Sequence, residues 1–148
     1  MRATQLRFLF RSALSLAAMA VSSFALASGA PEGGFALGGI QEGLRRSPDQ
    51  YLAAKLEVVG APNCSDPKNE ASCVSDARIV ENFASRGGRF RPGDIVSLHG
   101  GGSIGSVYLA FTVPAPDQPN VYGATFMSLD VGSRNQELFR ADLKRAGL

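Results

Sequence analysis

The chain has 148 residues, with 15 Lys and Arg, 13 Asp and Glu, one His, two Cys and no Trp. That length bounds it to one domain, because single domains usually run about 100–200 residues. Apolar content of 45% against 19% charged residues excludes a wholly disordered chain.

The first residues read as an address. Arg2, Arg7 and Arg11 are the only charges before Glu32. An uncharged run rich in Ala and Leu follows over 12–27 and closes on Ala25-Leu26-Ala27, a small-x-small cleavage pattern. With four serines, the run falls short of the ~20 apolar residues that a membrane span needs. Ser28 is not a cysteine, and the leader has no paired arginines, so neither lipidation nor twin-Arg export is indicated. The expected organisation is a signal peptide over 1–27, a flexible N-terminal arm over 28–46 and one globular domain over 47–148. The expected address is periplasmic or secreted, with no membrane span after cleavage. Removing Arg2, Arg7 and Arg11 turns the formal +2 into 12 basic against 13 acidic residues, a net −1. The global electrostatic case for nucleic acid disappears with the leader.

Residues 28–43 are rich in Gly and Ala with little periodicity, which suits a loose arm. Ser47-Pro48-Asp49-Gln50 has the form of a capping box with Pro at the first helical position. The next stretch, 52–59, alternates: Leu52, Ala54, Leu56 and Val58 share one face. It reads as a strand entered by a short helical turn.

Cys64 and Cys73 are the only cysteines, and an even count in an exported chain points to a disulfide. The polar, turn-forming residues between them read as an exposed loop pinched at its base. A metal site from Cys64, Cys73, Asp66 and His99 fits poorly, because zinc prefers cysteines two to four residues apart. No metal or other cofactor is expected.

Over 77–83, Ala77, Ile79 and Phe83 share a face with Glu81, again a strand with a helix as rival. Arg91-Pro92-Gly93-Asp94 is a turn that launches a strand at Ile95. Residues 107–113, dense in β-branched and aromatic side chains, form the clearest strand. Three prolines make 114–120 a loop, and 121–131 the last strand. Ser133 to Gln136 is a second capping box, and Leu138, Phe139, Leu143 and Ala146 give a helix over 135–146 its apolar stripe.

The expected class is mainly β: a small five-stranded barrel like the oligonucleotide/oligosaccharide-binding (OB) type, with a short C-terminal helix. The alternative is α+β, with helices near 48–57 and 75–85. The order strand, cysteine loop, strand, Pro-Gly-Asp turn and three further strands over 52–131 is faintly similar to netrin-type barrel modules of secreted proteins. The fuller cysteine framework of that family is missing here.

His99-Gly100-Gly101-Gly102-Ser103-Ile104-Gly105 matches an esterase oxyanion loop, a nucleophile elbow and a dinucleotide fingerprint at once. An elbow must lead from strand to helix, yet Ser103 leads into the strand at 107–113. The only His precedes the Ser, against the order of that triad. The fingerprint lacks its helix and a parallel βαβ unit. The run therefore reads as a flexible hairpin, with Gly101 and Gly102 offering exposed amides to a ligand.

Arg86-Gly87-Gly88-Arg89-Phe90-Arg91 is the other charged feature. Arg86, Arg89 and Arg91 can grip phosphate, sulfate or carboxylate bidentately, and an exposed Phe90 can stack on a ring. The competing reading tucks Phe90 into the barrel end. The expected function is a small exported, non-enzymatic binding or accessory module of the cell envelope. It contacts a protein or an anionic envelope component, not nucleic acid, through the loops at 86–91 and 100–105. The alternatives are a small serine hydrolase using Ser103 and His99, or an inhibitor or immunity-type protein.

Overall fold

The computed structural model describes residues 33–100 and 102–148. The expected signal peptide, the start of the expected arm and Gly101 lie outside the described residues. Among the described residues, two helices, α1 (Leu37–Arg46) and α2 (Ser133–Arg145), flank six strands: β1 (Tyr51–Val58), β2 (Asn63–Cys64), β3 (Cys73–Arg86), β4 (Ile95–His99), β5 (Val107–Ala115) and β6 (Gln118–Ser128). β1 pairs with β3, β3 with β4, β4 with β6, β6 with β5, and β5 returns to β1. The circuit closes a five-stranded barrel, antiparallel everywhere except between β4 and β6, with β2 outside against the start of β3. The mainly β expectation holds. The helices weighed near 48–57 and 75–85 are strands instead. The hydroxyl of Ser47 donates to the carbonyl of Gln50, closing a bend that turns α1 into β1 and not into a second helix.

The core has two layers because β1 and β5 bury both faces. Leu52, Ala54, Leu56, Ala77, Ile79, Val96, Leu98, Ala110 and Tyr122 fill the barrel interior. Tyr51, Ala53, Leu109, Phe111 and Val113 point outward and are covered by Ala36 and Ile40 at α1 and by Phe139 and Leu143 of α2. Each fully buried large apolar side chain contributes about 1.5–3 kcal/mol relative to exposure. The helices thus clothe the β1–β5–β6 side and the end of β3 around Phe83, and leave the outer face of β4 and the first half of β3 uncovered.

The loose arm expected over 28–46 is overturned in its described part by α1. Its glycines are what let the helix seat closely. A Cβ at Gly39 would lie 2.6 Å from the Phe126 Cβ, and one at Gly43 2.5 Å from the Phe111 ring. Buried Asp142 of α2 accepts a 2.7 Å hydrogen bond from the amide of Ala36, satisfying a donor at the helix start.

Three further expectations change. The proline segment at 114–120 is no long loop: β5 runs to Ala115 and β6 begins at Gln118. These prolines lie beyond the reach of β1, whose last partner on β5 is Thr112, and the register shifts between Pro114 and Ala115. Ser133 makes no capping bond; Gly132 is the N-cap, and α2 starts at Ser133 itself. Phe83 does not share the interior with Ile79. Two bulges in β3, at Val80 and Phe83, each add a residue against β1 and break the alternation. Phe83 consequently turns outward to meet Phe139 edge-on at 5.5 Å, with the Arg140 guanidinium 4.7 Å above its ring.

Candidate functional site

The cysteine loop leaves β1 and returns into β3. Cys64 and Cys73 are disulfide-bonded, with Cα atoms 3.9 Å apart, and they face each other in register across β2 and β3. Asn69 accepts from the amide of Ala71, Asp66 from the amide of Lys68, and the Ser72 hydroxyl bonds within the loop, so its course is set locally. Oxidised sulfurs are not thiolate ligands, so the set Cys64, Cys73, Asp66 and His99 is not a zinc site.

The glycine run joins β4 to β5, strand to strand. Gly100, at φ 66°, donates to the carbonyl of Cys73, and Gly105, at φ 88°, donates to that of Val58. A side chain at Gly102 would run into the Tyr108 hydroxyl, so this glycine serves close packing. Ser103 and His99 open on different hollows. Ser103 lines one with Pro62, Cys73 and Gly102, whereas His99 faces a groove walled by the β5–β6 hairpin.

The loop at 86–91 is pinned at several points. Gly87, at φ 78°, sits against the Asp49 carbonyl, where a Cβ would lie 2.5 Å away. The Phe90 carbonyl accepts from the Asn82 amide, the Arg91 amide donates to the Asp94 carboxylate at 2.8 Å, and Gly93 donates to Ile79. Phe90 is not an exposed stacking platform. It is half-buried, meets Tyr122 edge-on at 5.8 Å and packs against the barrel interior. Tyr122 in turn accepts from Gln50.

Arg86, Arg89 and Arg91 stay exposed on this plugged loop. Their guanidiniums make no hydrogen bond or ion pair among the described residues. The other six described arginines all have partners. Arg45 and Arg46 hold Glu42, Arg78 faces Glu57, Arg140 binds Glu81, Arg145 binds Asp142, and Arg134 is also engaged. The hydrogen bonds from Arg45 and then Arg46 hold the Glu42 carboxyl down to about 2.

The two expected contact loops do not form one surface. Arg86 lies opposite Tyr51 at the start of β1, whereas Gly105 is bonded to Val58 at its end. Eight strand residues separate the two by roughly 23 Å. The structure also presents a feature missed in the sequence, an open groove of about 790 Å³. Arg46 and Gln50 bound it at one end, Ala71 of the cysteine loop at the other, and Pro114, Pro116 and Pro119 along its wall. On its lining, a Cβ at Gly123 would meet nothing within 4 Å. The only local signal was the cluster of prolines. Among the described residues, no helix is long and apolar enough to cross a membrane. No protein-family model matches the chain, and neither the curated proteins nor the solved structures contain a significant match.

Proposed function

We propose that this chain is a small exported, non-enzymatic binding module that grips an anionic component of the cell envelope through Arg86, Arg89 and Arg91. One observation carries the reading: the arginines without partners among the described residues are the three on one pinned loop. A guanidinium held without an internal partner is ready to bind phosphate, sulfate or carboxylate bidentately. Phe90, Asn82 and Asp94 fix the loop backbone, so less ordering entropy opposes binding. The disulfide and the signal-like leader support a periplasmic or secreted setting.

The strand circuit also supports a binding role. Numbering only the barrel strands, the order 1-2-3-5-4-1 with a parallel 3–5 pair supports reading the barrel as OB-like. Such barrels bind ligands between the loops that follow their first and fourth strands, here the cysteine loop and the β5–β6 hairpin flanking the groove. That placement is a fold-level analogy and favours the groove as a second contact. The hydrolase alternative loses support because Ser103 and His99 line separate hollows.

The test is a binding panel at low and physiological salt: polyphosphate, a sulfated polysaccharide and anionic vesicles. Wild-type protein is expected to bind with strong salt dependence, and the triple variant Arg86→Gln/Arg89→Gln/Arg91→Gln to lose binding at least tenfold. Equal binding by both proteins overturns the reading, as does labelling of Ser103 by a serine-reactive probe.

A further inference from the structure

We infer that the anion recognised by this loop is presented by a phospholipid bilayer, with Ile95 and Val80 entering the headgroup boundary beside the arginines. The inference rests on the anion-binding reading above and adds the source of the anion. Two observations separate a bilayer from a soluble polyanion or a nucleic acid. First, the ring that would stack on a base or sugar is turned inward, since Phe90 packs against Tyr122 and the barrel interior. Second, large aliphatic side chains are left in water beside the turn that carries Arg91.

Ile95 is 53% exposed and directly follows the turn that carries Arg91; Val80 is 41% exposed at a bulge in β3. The two lie on neighbouring strands, two residues apart in register. Ile95 pairs with Arg78, and the neighbouring Ile79 exchanges hydrogen bonds with Gly93 and Asp94 of the turn. Pro92 is exposed on the same turn. Helix α2 reaches β3 at Glu81 and Phe83, through Arg140 and Phe139, and leaves Val80 and Ile95 exposed. Asp94, which accepts from the Arg91 amide, and Asp49, which forms no ion pair among the described residues, keep their charge, so the three arginines face two carboxylates and the local balance stays positive by one.

A polyphosphate chain gains nothing from Ile95 or Val80. A bilayer gains from both features, because arginine stems lie along the acyl boundary while guanidiniums stay at headgroup level. Each basic residue near an anionic surface is worth about fivefold in affinity, so the three supply on the order of a hundredfold. Charge alone gives reversible attachment, and a second, apolar signal strengthens it.

The experiment is vesicle co-sedimentation, with the folding of each variant checked by thermal denaturation. One set of vesicles contains equal parts phosphatidylglycerol and phosphatidylcholine; the other is phosphatidylcholine alone. Polyphosphate binding is measured in parallel. Wild type is expected to bind the mixed vesicles only. The triple arginine variant should lose roughly a hundredfold on them. Ile95→Ser/Val80→Ser should lose on the order of tenfold on vesicles while keeping any polyphosphate binding. If that variant sediments like wild type, or if polyphosphate binds and mixed vesicles do not, the bilayer inference falls and the anion-binding reading stands. If neither of these probes nor the sulfated polysaccharide binds at low salt, both readings fall.

Discussion

The seating of α1 on the barrel can be tested by making one substitution at two positions of the same helix. Gly38 is exposed, and a Cβ there meets nothing within 4 Å. Gly38→Ala should therefore stabilise the helix by about 1 kcal/mol, the propensity difference between Gly and Ala. Gly43 gains the same propensity but is buried, and its Cβ would lie 2.5 and 2.6 Å from two atoms of the Phe111 ring and 2.7 Å from the Thr125 hydroxyl. Phe111 is itself fully buried between helix and barrel, so the ring cannot swing away. Overpacking of this kind costs typically 1–3 kcal/mol, and a conflict near a full ångström belongs at the upper end. The net expectation is a loss of about 2 kcal/mol, so the two variants should differ by about 3 kcal/mol. Urea denaturation measures the global part of that difference. Hydrogen exchange at the amides of 40–46 catches any undocking of α1 that leaves the barrel folded. If Gly43→Ala stabilises as much as Gly38→Ala and protection in α1 is unchanged, the helix is not packed on Phe111. The placement argued for it would then be wrong.

Three other outcomes follow from single contacts. Asp142→Ala removes the buried acceptor of the Ala36 amide and should cost about 1.5–3 kcal/mol, seen as a lower Tm and faster exchange at the start of α1. Asp142→Asn, which keeps an acceptor, should recover part of the loss, and equal melting of all three proteins would contradict the contact. Replacing Cys64 and Cys73 with Ser opens a ring with a sequence separation of 9 and should cost about 2.5–3 kcal/mol. An unchanged denaturation midpoint under reducing and oxidising conditions would argue against the bridge. The Glu42 carboxyl is depressed from 4.5 to about 2 by Arg45 and Arg46, so its contribution is fully present above the ordinary value and is lost only as pH falls towards 2. An NMR titration of that carboxyl with a midpoint near the ordinary value would refute the clasp.

Much of the barrel was legible in the chain because strand alternation is a local signal. Leu52, Ala54 and Leu56 read as one face and do point inward together. The densest β-branched run became β5, and two cysteines in a small domain became one bridge. The candidate site was legible in part. The arginines of 86–91 were visible as residues. That they lack partners became visible only when every other described arginine had been matched to its acid or other contact. Phe90 was ambiguous because nothing local says whether a ring in a loop faces water or the open end of a barrel.

Sequence alone determined the charge of the chain, the period-two strands and the apolar stripe of the last helix, all properties of residues a few positions apart. Tertiary structure decided the rest. Glycines that read as a loose arm proved to be the smooth face of α1, because their use depends on Phe111 and Phe126 far along the chain. Phe83 changed sides because bulges are defined only against a partner strand. The contact that anchors α1 joins Ala36 to Asp142, 106 residues apart. Close approach, register and ion pairing are relations between distant segments, and they take a definite value only when the barrel closes.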